Sequence, residues 1–263
     1  MPDITIAAGG TAKQLTETSF NNARDGSGEG TGAQAAETHT GGCGGESMPA
    51  ATVLFRRDGQ KVPGPQINNQ FTLLRYFMIF TIPSSTNEIA QASIKLTSAG
   101  YATDTSGDAK SYLSKGKFVA ANIAGSSIVA GDYDSSSPDS MTSYDDTSGI
   151  IISGTDGDSV TTNLNAAAIS QLNTLGQGGG GAFELALIEY EHDFSDHPTP
   201  SFAGLNSAGG PYRSYDGFHI DEAGETNEPV LTISYGVPGG HIKLSSGMIQ
   251  LNSGHTVLQE TLF

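Results

Sequence analysis

Residues 71–96 read FTLLRYFMIFTIPSSTNEIAQASIKL and form the densest apolar run in a chain otherwise dominated by Gly, Ser, Thr, Asn and Asp. The even positions Leu74, Tyr76, Met78, Phe80 and Ile82 are all apolar, a period of two that marks a strand with one face in a core. Phe77 and Ile79 are apolar as well, so part of the second face is expected to be covered. Pro83 removes a ladder donor and ends the strand, and SSTNE makes the turn. Ala92, Ile94 and Leu96 then alternate with Ser93, Lys95 and Thr97, which predicts a second strand with one wet face. Together these are expected to be the central strand pair of a β-sandwich.

Working outward, residues 51–236 read as the main domain. Strands are predicted at 52–56, 115–123, 149–152, 160–164, 182–190, 212–220 and 228–236, with turn-forming residues between them. One helix is expected over 165–176: Asn165 suits an N-cap, Ile169, Leu172 and Leu175 share a face, and Gly176 supplies the stop. The fold class is all-β, a jelly roll or related sandwich with one short helix.

The flanks differ in composition. Residues 1–50 read as an extended Gly-rich N-terminal arm, with one short strand at Asp3–Ile6 and Ile4, Ile6, Leu15 and Phe20 as its apolar anchors. Fully extended, such an arm reaches on the order of 150 Å, far enough to lie over partner subunits. Residues 237–263 hold a repeat: HIKLSSG (241–247), MIQLNSG (248–254) and HTVLQET (255–261) align at a period of seven. The apolar pairs are spaced i, i+2, which excludes a heptad coiled coil and predicts short strands joined by turns closing on Gly. A three-stranded meander is one solution, too small to be stable alone. Ile242, Leu244, Ile249, Leu251 and Leu258 are therefore expected, with the arm anchors, to form subunit interfaces.

Charge and cysteine usage narrow the function. A formal net charge of −16 makes nucleic acid a poor partner. The single cysteine, Cys43, excludes an internal disulfide, a CxxC motif and a cysteine-based zinc site. MPDITIAAGG lacks the basic start and apolar core of a signal peptide, and no apolar run approaches the roughly 18 residues of a membrane span. The expectation is a protein made in the cytosol without a membrane partner.

One cluster resembles a chemical site: Glu189, Glu191, His192, Asp193, Asp196 and His197. His192 with Asp196 or His197, and Glu189 or Glu191 as carboxylate, have the donor types of a divalent metal site, but the spacing fits no zinc signature. The plainer interpretation is a strand end running into a loop capped by Asp and His. Asp132/Asp134, Asp145/Asp146 and Asp156-Gly157-Asp158 suit turns, and none has the spacing of a calcium loop. Tyr212, Tyr215 and Phe218 offer rings for sugar stacking, in a chain without tryptophan. No GxSxG, P-loop or HExxH occurs, so no catalytic residue, metal or cofactor is expected.

Four stretches in order carry a family resemblance: LLRYFMIFTIPSSTNEIAQASIKL, KGKFVAANIAGSSIVAGDYDSSS, LNAAAISQLNTLG followed by FELALIEYEHD, and FHIDEAGETNEPVLTISYG. Over about residues 50–236 the chain resembles the jelly-roll module of tailed-phage virion structural proteins, itself related to DNRLRE-type modules of bacterial surface proteins. It departs from that pattern at Ile220-Asp221, where a Ser usually precedes Glu222, and in the Gly-rich insert at 176–181. The resemblance implies no catalytic residues. It implies a virion protein, a head decoration or cement protein first, with a tail, fibre or collar component or a carbohydrate-binding surface module as alternatives. The expected partners are a major capsid protein or other virion proteins, and further copies of the chain, with a trimer favoured.

Overall fold

The computed structural model of the chain describes residues 3–17, 37–38, 52–61, 67–101, 115–123, 141–196, 212–221, 224, 226–236, 241–244 and 247–250. The strands in chain order are β1 (Ile4–Ala7), β2 (Gly9–Glu17), β3 (Glu37–Thr38), β4 (Thr52–Lys61), β5 (Ile67–Ile82), β6 (Ile89–Tyr101), β7 (Lys115–Ala120), β8 (Ile150–Ile151) and β9 (Ser159–Asn163). Helix α1 (Ala166–Gln177) follows, then β10 (Gly181–Glu189), a π-turn (Tyr190–Phe194), β11 (Tyr212–Ile220), β12 (Val230–Tyr235), β13 (His241–Leu244) and β14 (Gly247–Gln250). The named strand pairs are antiparallel, and the architecture is an all-β sandwich.

Strand β6 joins the two layers. Its residues 89–97 pair with β12 on one edge and β9 on the other, and β1 pairs with β12 beyond. Its far end pairs with β11 through a register shift, leading into the second layer β11-β4-β5-β10-β7-β8. The long strand β5 organises that layer. It pairs with β4 over 67–74, with β10 over 76–82, and with β2 over 71–79. A strand has only two edges, and β2 overlaps both other partners in register. So β2 occupies one edge, while β4 and β10 lie end to end along the other and meet at Arg75.

The alternation at 74–82 does what its period predicts. Tyr76, Met78, Phe80 and Ile82 enter the main core with Ile94, Leu96, Phe118, Phe183, Leu231 and Ile233. Each such buried side chain contributes about 1.5–3 kcal/mol relative to exposure, so this layer dominates the favourable side of folding. The second face of β5 is covered too. Phe77 is fully buried in a smaller cluster with Val119, Ile123, Ala186 and Ile188, against which Ile79, Met141 and Phe194 pack.

Helix α1 begins where expected, with the Asn165 side chain accepting from the amides of Ala167 and Ala168. Leu172 is buried and Ile169 and Leu175 pack on the core. Its end differs from the expectation: Gly176 lies inside the helix, buried, and Gly178 is the C-cap. The chain then needs a positive φ at Gly180 (+95°), where a Cβ would stand 2.8 Å from the Ile82 carbonyl oxygen.

The ends also refine the reading. Residues 4–17 do not stand away from the domain but belong to its sheets, β1 on β12 and β2 on β5. Ala8, buried between them, donates its amide to the Pro229 carbonyl as the chain passes from one layer to the other. Ile4 and Ile6 pack partly buried against the chain's own core. Leu15 has its backbone opposite Leu73. In the repeat, Ile242 lies opposite Ile249 and Leu244 opposite Gly247, so Gly247 opens the second strand and does not close the turn. Phe20, Leu251 and Leu258, and with them the third repeat unit, lie outside the described residues.

Candidate functional site

The sequence cluster at 189–196 folds into a π-turn that closes over the point where β4 and β10 meet. At the end of β10 the chain is still extended at Glu189 (φ −70°, ψ 135°) and then coils through Tyr190–Phe194. That coil starts with amides lacking an internal partner, and the buried Glu189 carboxylate satisfies three of them. It accepts from the amides of Glu191 (2.6 Å), His192 (2.6 Å) and Asp193 (3.1 Å). Charge-assisted bonds of this kind are about twice as strong as neutral ones.

The turn delivers Asp193 to Arg75. Nε and Nη2 of Arg75 donate to the two carboxylate oxygens at 2.8 and 2.7 Å, a bidentate pair with both side chains buried. Arg75 therefore sits in the seam between β4 and β10 as the counter-charge of the π-turn. A second buried pair lies nearby on β7. Lys117 Nζ donates to the Asp145 carboxylate (3.0 Å) and to the carbonyls of Asp145 (2.9 Å) and Thr147 (2.7 Å). The other Asp145 oxygen accepts from the Phe118 amide at 2.8 Å.

The remaining contacts lock the turn's outer surface. Tyr190 and Phe194 stack at 5.7 Å, Lys115 Nζ lies 5.8 Å from the Tyr190 ring and Lys117 Nζ 5.3 Å from the Phe194 ring. Lys115 also pairs with half-exposed Glu191 at 2.9 Å. Gly149, at φ +100°, lets the backbone pass where a Cβ would meet Lys115 at 2.9 Å and Tyr190 at 3.0 Å.

This arrangement assigns the suspected metal-type residues to other work. Glu189 is a helix cap, Asp193 a salt-bridge partner and Glu191 a surface partner of Lys115, while His192 is buried in the turn. Asp196 is exposed at φ +56°, and His197 lies outside the described residues. Among the described residues, no group of three or more His, Cys, Asp or Glu is placed to hold a metal ion. Asp145 belongs to the Lys117 pair, Asp146 accepts from the Asn165 side chain, and Asp158 accepts from Ser153 at 2.6 Å within its turn. Asp132 and Asp134 lie outside the described residues. Of the three candidate stacking rings, Phe218 is fully buried in the core and not available to a ligand.

The described surface includes a depression of about 560 Å³ beside α1 and one of about 280 Å³ lined by β6, β9 and residues 151–153. Neither is lined by an aromatic side chain among the described residues. No described helix is long and apolar enough to cross a membrane. Burial pushes the Tyr144 phenol above its ordinary 10.0, and the nearby Glu184 carboxylate pushes the same way.

Arg75 as the partner of Asp193, and Lys117 as the partner of Asp145, were missed, although their signal was present. Each is a cation inside an apolar strand, LLRYFM and KGKFVA, where a buried charge requires a counter-charge. Which carboxylate answers each one is set by contacts 118 and 28 residues away in sequence. Compared with known proteins, the chain matches no protein-family model and no curated protein.

Proposed function

We propose that this chain is a non-enzymatic structural protein of a tailed-virus particle, acting first as a head decoration or cement protein. The observation that carries the reading is how its buried charges are used. Arg75, Lys117, Glu189, Asp145 and Asp193 all hold the fold through paired contacts with one another or with the backbone. Its resemblance to virion jelly-roll modules over residues 50–236 points the same way. Such a body contributes surface and sheet edges, and a cement protein works through these by burying apolar contact and adding backbone pairing between subunits. The proposed partners are a major capsid protein or another virion protein, and sister copies of the chain.

The test is direct. Mass spectrometry of particles purified from the virus that encodes the chain is expected to find it at a fixed stoichiometry to the shell protein. Its absence from washed, banded particles overturns the proposal.

A further inference from the structure

We propose that the outer edge of β9 is a docking edge for an extended, basic-ended segment of a partner protein, taken up as a further strand beside β9. The partner's source, another virion protein, rests on the reading above; the edge and the chemistry of the segment do not.

Among the described residues β9 pairs only with β6, over five residue pairs from Ser93 opposite Asn163 to Thr97 opposite Ser159. The bonds that bracket this ladder fix the direction of each backbone group. The Ser98 amide donates to the Asp158 carbonyl, and the Leu164 amide donates to the Ala92 carbonyl. Successive residues of an antiparallel ladder alternate in direction, so positions 158, 160, 162 and 164 turn their backbone towards β6. Ser159, Thr161 and Asn163 therefore aim their N–H and C=O groups away from it, and all three residues are exposed. Natural edges are commonly blunted by a charged side chain, a proline or a bulge. β9 reads SVTTN and has none of these: its register with β6 is unbroken, and it carries no charge.

Each end of that edge opens on a depression. The smaller one, of about 280 Å³, is lined at the Ser159 end by Leu96, Ile152 and Val160, with Ile151 and Asp158. Ile151 is 60% exposed, the one large hydrophobic side chain so exposed among the described residues. The larger one, of about 560 Å³, begins at Leu164 and Asn165 and runs beside α1 to Glu88. A strand added to β9 sends the side chains opposite Val160 and Thr162 to the same face as theirs, the face on which Val160 and Leu164 meet the core. An apolar side chain there is sheltered by Val160 and Ile151. Backbone pairing along an edge, with seats for alternate side chains, is how sheet edges capture extended peptides.

Charge selects the ends of the segment. Each depression is lined by one carboxylate, Asp158 or Glu88, and neither by a cation among the described residues. Both acids are exposed, on a chain of net charge −16, so a Lys or Arg at each end is complementary. Lys95, exposed opposite Thr161 on the outer face, disfavours a third cation in the middle. The strand spans about 17 Å, and about seven extended residues reach from one depression to the other. The segment's inner face is therefore basic, apolar, apolar, basic.

The probe is the labelled peptide KTVTVTK, titrated into the full chain at low salt with fluorescence anisotropy as the readout. It is expected to saturate below about 1 mM and to slow hydrogen exchange at the amides of Thr161 and Asn163. The acid-ended peptide DTVTVTD is expected to bind about tenfold more weakly, with the difference shrinking as salt is added. Thr161→Pro removes an outward amide and no bond of the β6 ladder, so the fold is kept while uptake falls about tenfold or more. Ile151→Asp, at an exposed position, is expected to weaken uptake as well. No saturation by about 1 mM, or uptake indifferent to both Thr161→Pro and Ile151→Asp, overturns the docking edge. Self-association of the chain that Thr161→Pro abolishes, without peptide uptake, gives the edge to a second copy and overturns it too. Either failure leaves particle incorporation untouched, whereas peptide uptake by a chain absent from particles sinks the virion reading alone.

Discussion

At the residue scale, Arg75 is the most informative position. It interrupts the apolar run of β5, sits fully buried, and is answered by Asp193 through two bonds. Removing charge from one member of a buried pair strands the other, at a cost of about 3–5 kcal/mol, whereas replacing both with apolar side chains is often neutral. Asp193→Asn is therefore expected to lower the urea midpoint severely, and the double variant Arg75→Met/Asp193→Leu to recover most of the loss. A double variant as unstable as the single one would show that the π-turn needs the charges themselves. Tyr144 gives a second prediction. It is buried against Phe183, with ring centroids 5.3 Å apart, and its phenol titrates above 10.0 in the folded chain. Below 10.0 the folded and unfolded chains both keep the proton, so this group adds no pH dependence. Above it only the unfolded chain loses the proton, and stability falls as pH rises towards the folded value. Urea midpoints measured between about pH 9 and about pH 11 should fall more steeply for the wild type than for Tyr144→Phe.

At the element scale, the helix and the π-turn are both set by a side chain just before their first turn. Asn165 serves α1 twice: its oxygen caps two amides, and its Nδ2 donates to the Ser143 carbonyl at 2.8 Å, tying the helix start to the β7–β8 region. Asn165→Ala is expected to cost about 1–2 kcal/mol in thermal or urea unfolding, the upper part of the usual capping range, because both roles are lost together. At the other end, Asn173 brackets Ile89, donating to its carbonyl and accepting from its amide, so α1 is clamped to the start of β6. Glu189 plays the capping role for the π-turn. There the element is too short to be stable by itself and depends on the Arg75–Asp193 pair to hold it down. The helix was legible in sequence because its Asn165 cap and its apolar spacing act within a dozen residues, whereas its end was misplaced at Gly176, which lies inside it. The π-turn was not legible, since its anchor lies on another strand.

At the scale of the whole molecule, the local and the long-range parts of the fold separate cleanly. Alternation at 74–82, breakers such as Pro83, and the Asn165 cap act over a few residues, so the class of fold, the positions of the central strands and helix α1 followed from the sequence alone. Strand lengths were less legible. β4 runs to Lys61 through its pairing with β5, and β6 to Tyr101 through its pairing with β11. The destination of the N-terminal segment was not legible either. Its strands β1 and β2 pair with edges that exist only once β12 and β5 are in place, and such partners leave little mark on the segment's own sequence. The same holds for the cluster at 189–194, where residue types suited to a metal became a cap, a buried salt bridge and a surface ion pair. Periodicity and capping are properties of neighbours along the chain. Which edge is open, and which buried charge meets which, are properties of neighbours in space, and only the tertiary structure decided them.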